Sequence, residues 1–340
     1  KSPVSLRLAV HSALSMAYYA LSSMLLSNLG VLIVRIFPES SLWIRKIASK
    51  MTTSVLYSNP FVRKHVENPQ QIDLKTPAVL IANHSSWLDT LAIGLFTHKI
   101  SYMVNDWVWR SAVFGRYVRA MGFFPASEGI EKAIPRFKEI TDKGISLMIF
   151  PEGKRSESNK IHRFHKGAFL AAEQLHLPIL PIYLHGLSEV QPKGDFIIYD
   201  GAITVIVGQP IAYDDPQLGS TIREQAKRMG VHFREEFLRI RRRLEGVYYL
   251  KKKLLLAYLY MDNEVVRAVK DDFKHHKESY HQLVHSLPEK GKFLRIGDDY
   301  GQLDLLLTLT YPEREIVAVI ADDEKRAVAE QSYIAKIRKI

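Results

Sequence analysis

Residues 77–90 read Pro77-Ala78-Val79-Leu80-Ile81-Ala82-Asn83-His84-Ser85-Ser86-Trp87-Leu88-Asp89-Thr90, an apolar run that stops abruptly at a polar, ionisable cluster. Ala78 to Ala82 is too short for a buried helix, is rich in β-formers and follows a proline, which predicts a fully buried strand. On one continuous helix His84 and Asp89 would point to different sides, because successive side chains turn by about 100°. They meet only if His84 lies in the loop and Asp89 in the first turn of the helix that follows. Ser85 or Ser86 then serves as the N-cap. A carboxylate so placed fixes the imidazole tautomer and stabilises its protonated form, leaving the other ring nitrogen to take a proton from a hydroxyl. Taken alone, such a pair is more often a surface histidine beside a solvated aspartate.

A second stretch changes that balance. Ile145-Ser146-Leu147-Met148-Ile149-Phe150 is another buried-strand run, and it ends in Pro151-Glu152-Gly153-Lys154-Arg155-Ser156. His-x4-Asp after one strand and Phe-Pro-Glu-Gly-x-Arg-Ser after a later one, in this order, resemble the 1-acylglycerol-3-phosphate (lysophosphatidic acid) acyltransferase family over roughly residues 40–215. The resemblance implies an α/β fold, a glycerolphosphate-acyltransferase-like sheet flanked by helices. It also implies His84 and Asp89 as catalytic residues, with Glu152, Gly153, Arg155 and Ser156 binding substrate. Chemically, Gly153 lets backbone approach a ligand, Arg155 offers a two-pronged clamp for phosphate or phosphopantetheine, and Ser156 adds a hydroxyl. Gly153-Lys154-Arg155 is no P-loop, because the upstream glycine spacing is missing.

Composition narrows the partners. The 340 residues are 47% hydrophobic and 24% charged, a globular balance with room for more than one domain. A net charge of +11 favours phosphorylated small molecules and anionic membrane; nucleic acid is the weakest partner, for lack of an RNA-binding aromatic signature, a zinc spacing or a zipper-linked basic region. With no cysteine, disulfides, thiolate metal sites and a cysteine acyl-enzyme are excluded. The first residue, Lys1, hints at a chain cut from a longer one.

Ser12 to Val34 contains no charged residue or histidine and is long enough to cross a membrane. A spanning helix, an interfacial helix and a buried hairpin arm all stay open there. Trp43, Ile47, Met51 and Val55 recur at helical spacing among Arg45, Lys46 and Lys50, an amphipathic basic helix that either rests on an anionic surface or packs on the domain beside it. Residues 1–58 are thus expected as N-terminal membrane-associated helices, 59–216 as the acyltransferase domain and 217–287 as a helical closing segment and linker.

Within the domain, helices are expected over Trp87–Phe96, Asp106–Met121 and Ser127–Lys143, with strands at Ile100–Val104, Phe196–Tyr199 and Ile203–Val207. The family places a lysine and a phosphate-binding arginine at positions held here by Asn105 and about Ser127, so a different acceptor lipid stays open. Residues 219–245 read as a charged helix. His281 and His285 share a helix face, but no third ligand or general-base glutamate accompanies them, so no metal site is expected.

Residues 288–340 hold a second resemblance. Phe293-Leu294-Arg295-Ile296-Gly297-Asp298-Asp299-Tyr300-Gly301, leading through a helical run to Glu315–Ile320, is similar to the opening of a class I S-adenosylmethionine methyltransferase, an incomplete Rossmann-like unit. Asp299 replaces the middle glycine, and Ile320 stands where a ribose-binding carboxylate belongs. The chain ends at Ile340, near the third strand such a fold needs. The region therefore reads as truncated and inactive, and the domain order resembles bacterial fusions in which a membrane exporter precedes both enzymes.

The expected activity is transfer of a fatty acyl group from an acyl thioester, on coenzyme A or acyl carrier protein, to a lysophospholipid-like hydroxyl at the cytoplasmic face of the inner membrane. Backbone N–H groups near Ser85 and Ser86 are expected to hold the oxyanion, and no cofactor is needed. Two rivals stand beside it: a serine lipid hydrolase, which lacks the Gly-x-Ser-x-Gly elbow, and an inactive membrane-binding module.

Overall fold

The computed structural model describes residues 4–156 and 160–331. They fall into two compact units that divide between Glu235 and Glu236. The first opens with α1 (Leu6–Leu25), a π-helical turn at Leu26–Gly30 and α2 (Val31–Ile36), together one apolar helix of 31 residues. Its polarity is inverted. Ser12, Ser15, Ser22, Ser23 and Ser27 are buried, whereas Leu6, Val10, Leu14, Leu21, Leu25, Leu29 and Leu32 are exposed. The serines tie the helix down: Ser12 Oγ accepts from the Ile198 N–H at 2.9 Å, and Ser27 donates to the Val113 carbonyl. The serine face of the segment is therefore docked on the rest of the unit, with the leucine face turned outward.

After α3 (Ser41–Ser58) come β1 (Val62–Glu67), β2 (Val79–Ala82), α4 (Asp89–Ile93) and β3 (Ile100–Val104). Next are α5 (Asp106–Arg110), α6 (Gly115–Ala120), β4 (Phe124–Pro125), α7 (Ile130–Thr141) and β5 (Ser146–Ile149). The unit continues with α8 (Gly167–Leu175), β6 (Ile179–His185), α9 (Leu187–Val190), β7 (Gly201–Val207) and the first part of α10 (Ile222–Leu244), inside which the division falls. Seven strands form one sheet in the order β1-β7-β6-β2-β5-β3-β4, parallel except at β6–β7. β2 is buried at every position, as a parallel strand covered on both faces must be, which accounts for its unbroken apolar run.

Two expectations are corrected and one strand is added. The helix expected over 106–121 is broken between α5 and α6, because Ser111 Oγ accepts from the Val113 and Phe114 N–H groups and restarts the chain there. Phe196–Tyr199 is not a strand: the Ile198 N–H goes to Ser12 and the Tyr199 N–H to the Val190 carbonyl, leaving no ladder to join. β1 escaped the sequence reading because only Val62 in it is buried, so no alternation shows.

The second unit contains α11 (Val247–Ala257), α12 (Asn263–Ser286), β8 (Gly291–Gly297), α13 (Gln302–Thr310), β9 (Arg314–Ile320) and α14 (Asp323–Gln331). β8 and β9 pair in parallel around α13. Residues 247–287 are not a linker, since Val247, Leu250, Leu254, Val269, Phe273 and Val284 share one core with Leu305, Leu306 and Ile316. The third strand expected near Ile340 lies outside the described residues.

Candidate active site

The site is built where β2 and β5 stop. Asn83 ends β2 by exchanging hydrogen bonds with the backbone of Leu184 on β6, its Nδ2 donating to the carbonyl and its Oδ1 accepting from the N–H, each at 2.9 Å. That bridge turns the next residue, His84, off the sheet. Asp89 opens α4, fully buried, and its Oδ2 lies 2.8 Å from His84 Nδ1. The loop-then-helix geometry expected from the spacing is present.

The same oxygen also accepts the backbone N–H groups of Ser85, at 2.6 Å, and Ser86, at 2.8 Å. This corrects two sequence expectations. Neither serine is the helix N-cap, which is Leu88. Nor are their N–H groups available to an oxyanion, because the aspartate has taken both. Three contacts on one buried carboxylate oxygen fix its position. Ser86 Oγ accepts from the Leu88 N–H and donates to Gln191 Oε1 at 2.7 Å, and Gln191 Nε2 donates onward to the Asp195 carbonyl. Gln191 is buried and lies 105 residues along the chain from Ser86, and no local pattern marks it.

The second motif supports the first. Glu152 Oε1 accepts the His84 N–H at 2.8 Å and Oε2 the His162 N–H at 2.7 Å. Burial pushes this carboxyl above its ordinary range, and the two N–H donors pull it back part of the way. Glu152 is thus a brace under the histidine, and both its oxygens face protein rather than a substrate phosphate. Ser156 is likewise turned inward, its N–H donating to the His84 carbonyl at 2.7 Å and its hydroxyl to the Lys160 carbonyl at 2.8 Å. Gly153 sits at φ +70°, a turn favouring glycine, and a Cβ there would lie 3.3 Å from the His165 ring. Phe150 stacks on the His84 imidazole with ring centroids 4.0 Å apart. Of the four binding residues expected, Arg155 faces the site: with His84 it lines a cavity of about 290 Å³, and among the described residues no carboxylate pairs with it.

That cavity is bounded by Tyr19, Leu26, Trp87, Leu91, Tyr102 and Phe123, with Asn105 on its wall. Ser127, by contrast, sits in an exposed turn. Burial raises the Tyr102 hydroxyl and pushes Tyr117 up to about 12, so both line the interior as neutral groups. His84 Nε2 has no hydrogen-bond partner among the described residues and is open to this space.

In the second unit the turn after β8 does not fit a nucleotide cofactor. The Arg295 guanidinium lies over Gly297, where a Cβ would come within 2.1 Å of its Nη1, and it pairs with Asp299 at 2.9 Å and with Asp304. The space glycine leaves is filled by the protein's own cation, and Asp299 is its counter-ion. His281 and His285 stand ring to ring at 4.6 Å, and among the described residues no cluster of three metal-binding side chains includes them.

Comparison with known proteins agrees with the first unit. A family model described as Acyltransferase matches residues 63–185. A chloroplastic 1-acyl-sn-glycerol-3-phosphate acyltransferase of Brassica napus is 28% identical over 158 residues, 45% of this chain and 46% of that protein. A 1-acyl-sn-glycerol-3-phosphate acyltransferase from Limnanthes douglasii is 32% identical over 147 residues, 42% and 52% of the two chains, and one from Pseudomonas aeruginosa 26% over 152 residues, 43% and 58%. The chain thus spans about half the length of the curated relatives it matches. The crystal structure of the 1-acyl-sn-glycerophosphate acyltransferase of Thermotoga maritima superposes with a TM-score of 0.54 at 21% identity, covering 68% of this chain and 98% of that one, a likeness of fold. Over residues 63–185, the stretch that brings His84, Asp89 and Glu152 together, this chain matches the acyltransferase family.

Proposed function

We propose that this protein transfers an acyl group from a thioester, carried by coenzyme A or acyl carrier protein, to the free hydroxyl of a lysophospholipid, with 1-acylglycerol-3-phosphate the first acceptor to test. The observation that carries the proposal is the His84 Nδ1 to Asp89 Oδ2 contact at 2.8 Å, with Nε2 open to an apolar cavity. Asp89 keeps the proton on Nδ1, so Nε2 is the basic nitrogen. It takes the acceptor's hydroxyl proton as the oxygen attacks the thioester carbonyl. The C–S bond then breaks, and the leaving thiolate receives that proton from His84. General-base assistance of this kind is worth about 10²- to 10⁴-fold. Arg155 stands beside the cavity as the phosphate clamp, and the apolar walls accept the acyl chain.

The outward leucines of α1 and α2 favour a membrane surface, since a soluble protein gains nothing by exposing them while it buries serines. The net charge of +11 suits an anionic cytoplasmic leaflet. The test is incubation of purified protein with radiolabelled acyl-coenzyme A or acyl-acyl carrier protein and lysophosphatidic acid. Phosphatidic acid is expected from wild type, none above background from His84→Ala, and a raised acceptor KM from Arg155→Ala. Full turnover by His84→Ala ends the proposal.

A further inference from the structure

The cavity beside His84 changes character along its length. Phe150, stacked on His84, follows the end of β5, while Ile100 pairs with Ser146 at the start of the same strand. Four residue steps separate the two levels, about 13 Å at about 3.3 Å per residue. At the Ile100 level the cavity is lined by Arg45 and His98.

Arg45 is only 5% exposed, and no carboxylate pairs with it among the described residues. Its Nη1 donates to the Ile100 carbonyl at 2.7 Å and its Nη2 to the Met121 carbonyl. Those two bonds pin α3 to β3 and to the end of α6, which accounts for part of the side chain. The Nε–H is buried with no acceptor. Its surroundings are cationic: burial first, then Lys46, Lys99 and Arg45, hold the His98 imidazole below its ordinary range. A guanidinium in a protein interior is normally matched by an anion or by acceptors for all its donors, and a plain alkyl chain supplies neither.

We propose that this end of the cavity receives an oxygen acceptor on the distal part of the acyl chain, a hydroxyl or a carboxylate, so that the protein selects oxygenated acyl donors over plain ones. The proposal rests on the acyl-transfer reading and specifies its donor. Chain position follows from geometry. The thioester carbonyl sits at His84 and the acceptor oxygen about 13 Å away at Arg45, so oxygen close to the thioester confers nothing.

The test compares three acyl-coenzyme A donors of equal length, unsubstituted, carrying a hydroxyl near the distal end, and ending in a carboxylate, with the full chain in lipid vesicles and lysophosphatidic acid as acceptor. At least one oxygenated donor is expected to exceed the plain donor about tenfold in kcat/KM, and the better of the two arms identifies the group. The ratio is expected to fall towards one in both Arg45→Lys, which keeps the charge but not the planar guanidinium, and Arg45→Met. Equal or better use of the plain donor by wild type overturns the inference and leaves acyl transfer standing. So does a preference that survives in either folded variant. No transfer from any donor overturns the acyl-transfer reading itself.

Discussion

Replacing Asp89 by asparagine removes one charge and almost no volume from a site where a single carboxylate oxygen holds the imidazole and two backbone N–H groups. A hydrogen bond to a charged group is worth about 1.5–3 kcal/mol and a neutral one about 0.5–1.5. Losing the charge opposite a protonated His84 therefore costs about 1–2 kcal/mol, roughly 5- to 30-fold in rate. A second loss adds to it. The amide can turn its NH2 towards Nδ1, which places the imidazole proton on Nε2 and removes the base, so the fall extends towards the full general-base contribution of about 10²- to 10⁴-fold. Asp89 Oδ1 is buried without a partner, so in the orientation that keeps the three donors satisfied the new NH2 meets no acceptor, at about 1–3 kcal/mol of stability. Initial rates with labelled acyl-coenzyme A and lysophosphatidic acid are expected to show kcat lowered at least about tenfold with the acceptor KM little changed. In a His84→Ala background the substitution is expected to add nothing, because the two residues act as one unit. A kcat within about threefold of wild type, in a variant that unfolds normally, refutes the assignment.

Other expectations follow from the supporting contacts. Gln191→Ala removes the acceptor of the Ser86 hydroxyl and loosens the loop that cages Asp89, so kcat is expected to fall about tenfold at constant KM, with partial recovery in Gln191→Glu. An unchanged kcat makes Gln191 merely structural. Because burial raises the Glu152 carboxyl, the folded state holds its proton more tightly than the unfolded chain does. Stability from this group is present below its ordinary 4.5 and declines as pH rises through the raised value. Urea unfolding across that window is expected to show the decline in wild type and not in Glu152→Gln; parallel profiles contradict it. Substituting Leu14, Leu21 and Leu25 by serine leaves the buried face of α1 intact and is expected to weaken cosedimentation with anionic vesicles severalfold, while retained binding removes the helix from membrane contact.

The sequence by itself determined the strand ending at Ala82, the turn that follows it and the pairing of His84 with Asp89. The local geometry lies within a dozen residues, where only a loop-then-helix turn lets the two side chains meet, and the second motif made that meeting the favoured reading. Its second motif singled out Arg155, and the fold puts that residue on the cavity wall. Tertiary structure alone decided what the other polar residues do. Glu152 finds its partners 68 residues upstream and 10 downstream, and Gln191 reaches Ser86 across 105, so neither role leaves a local pattern. The same holds for α1, whose composition reads simply as apolar: which face turns inward was settled by hydrogen bonds to Ile198 and Val113, distant in the chain. Local patterns follow from backbone geometry, whereas the partners that satisfy a buried polar group are chosen only when the chain closes on itself.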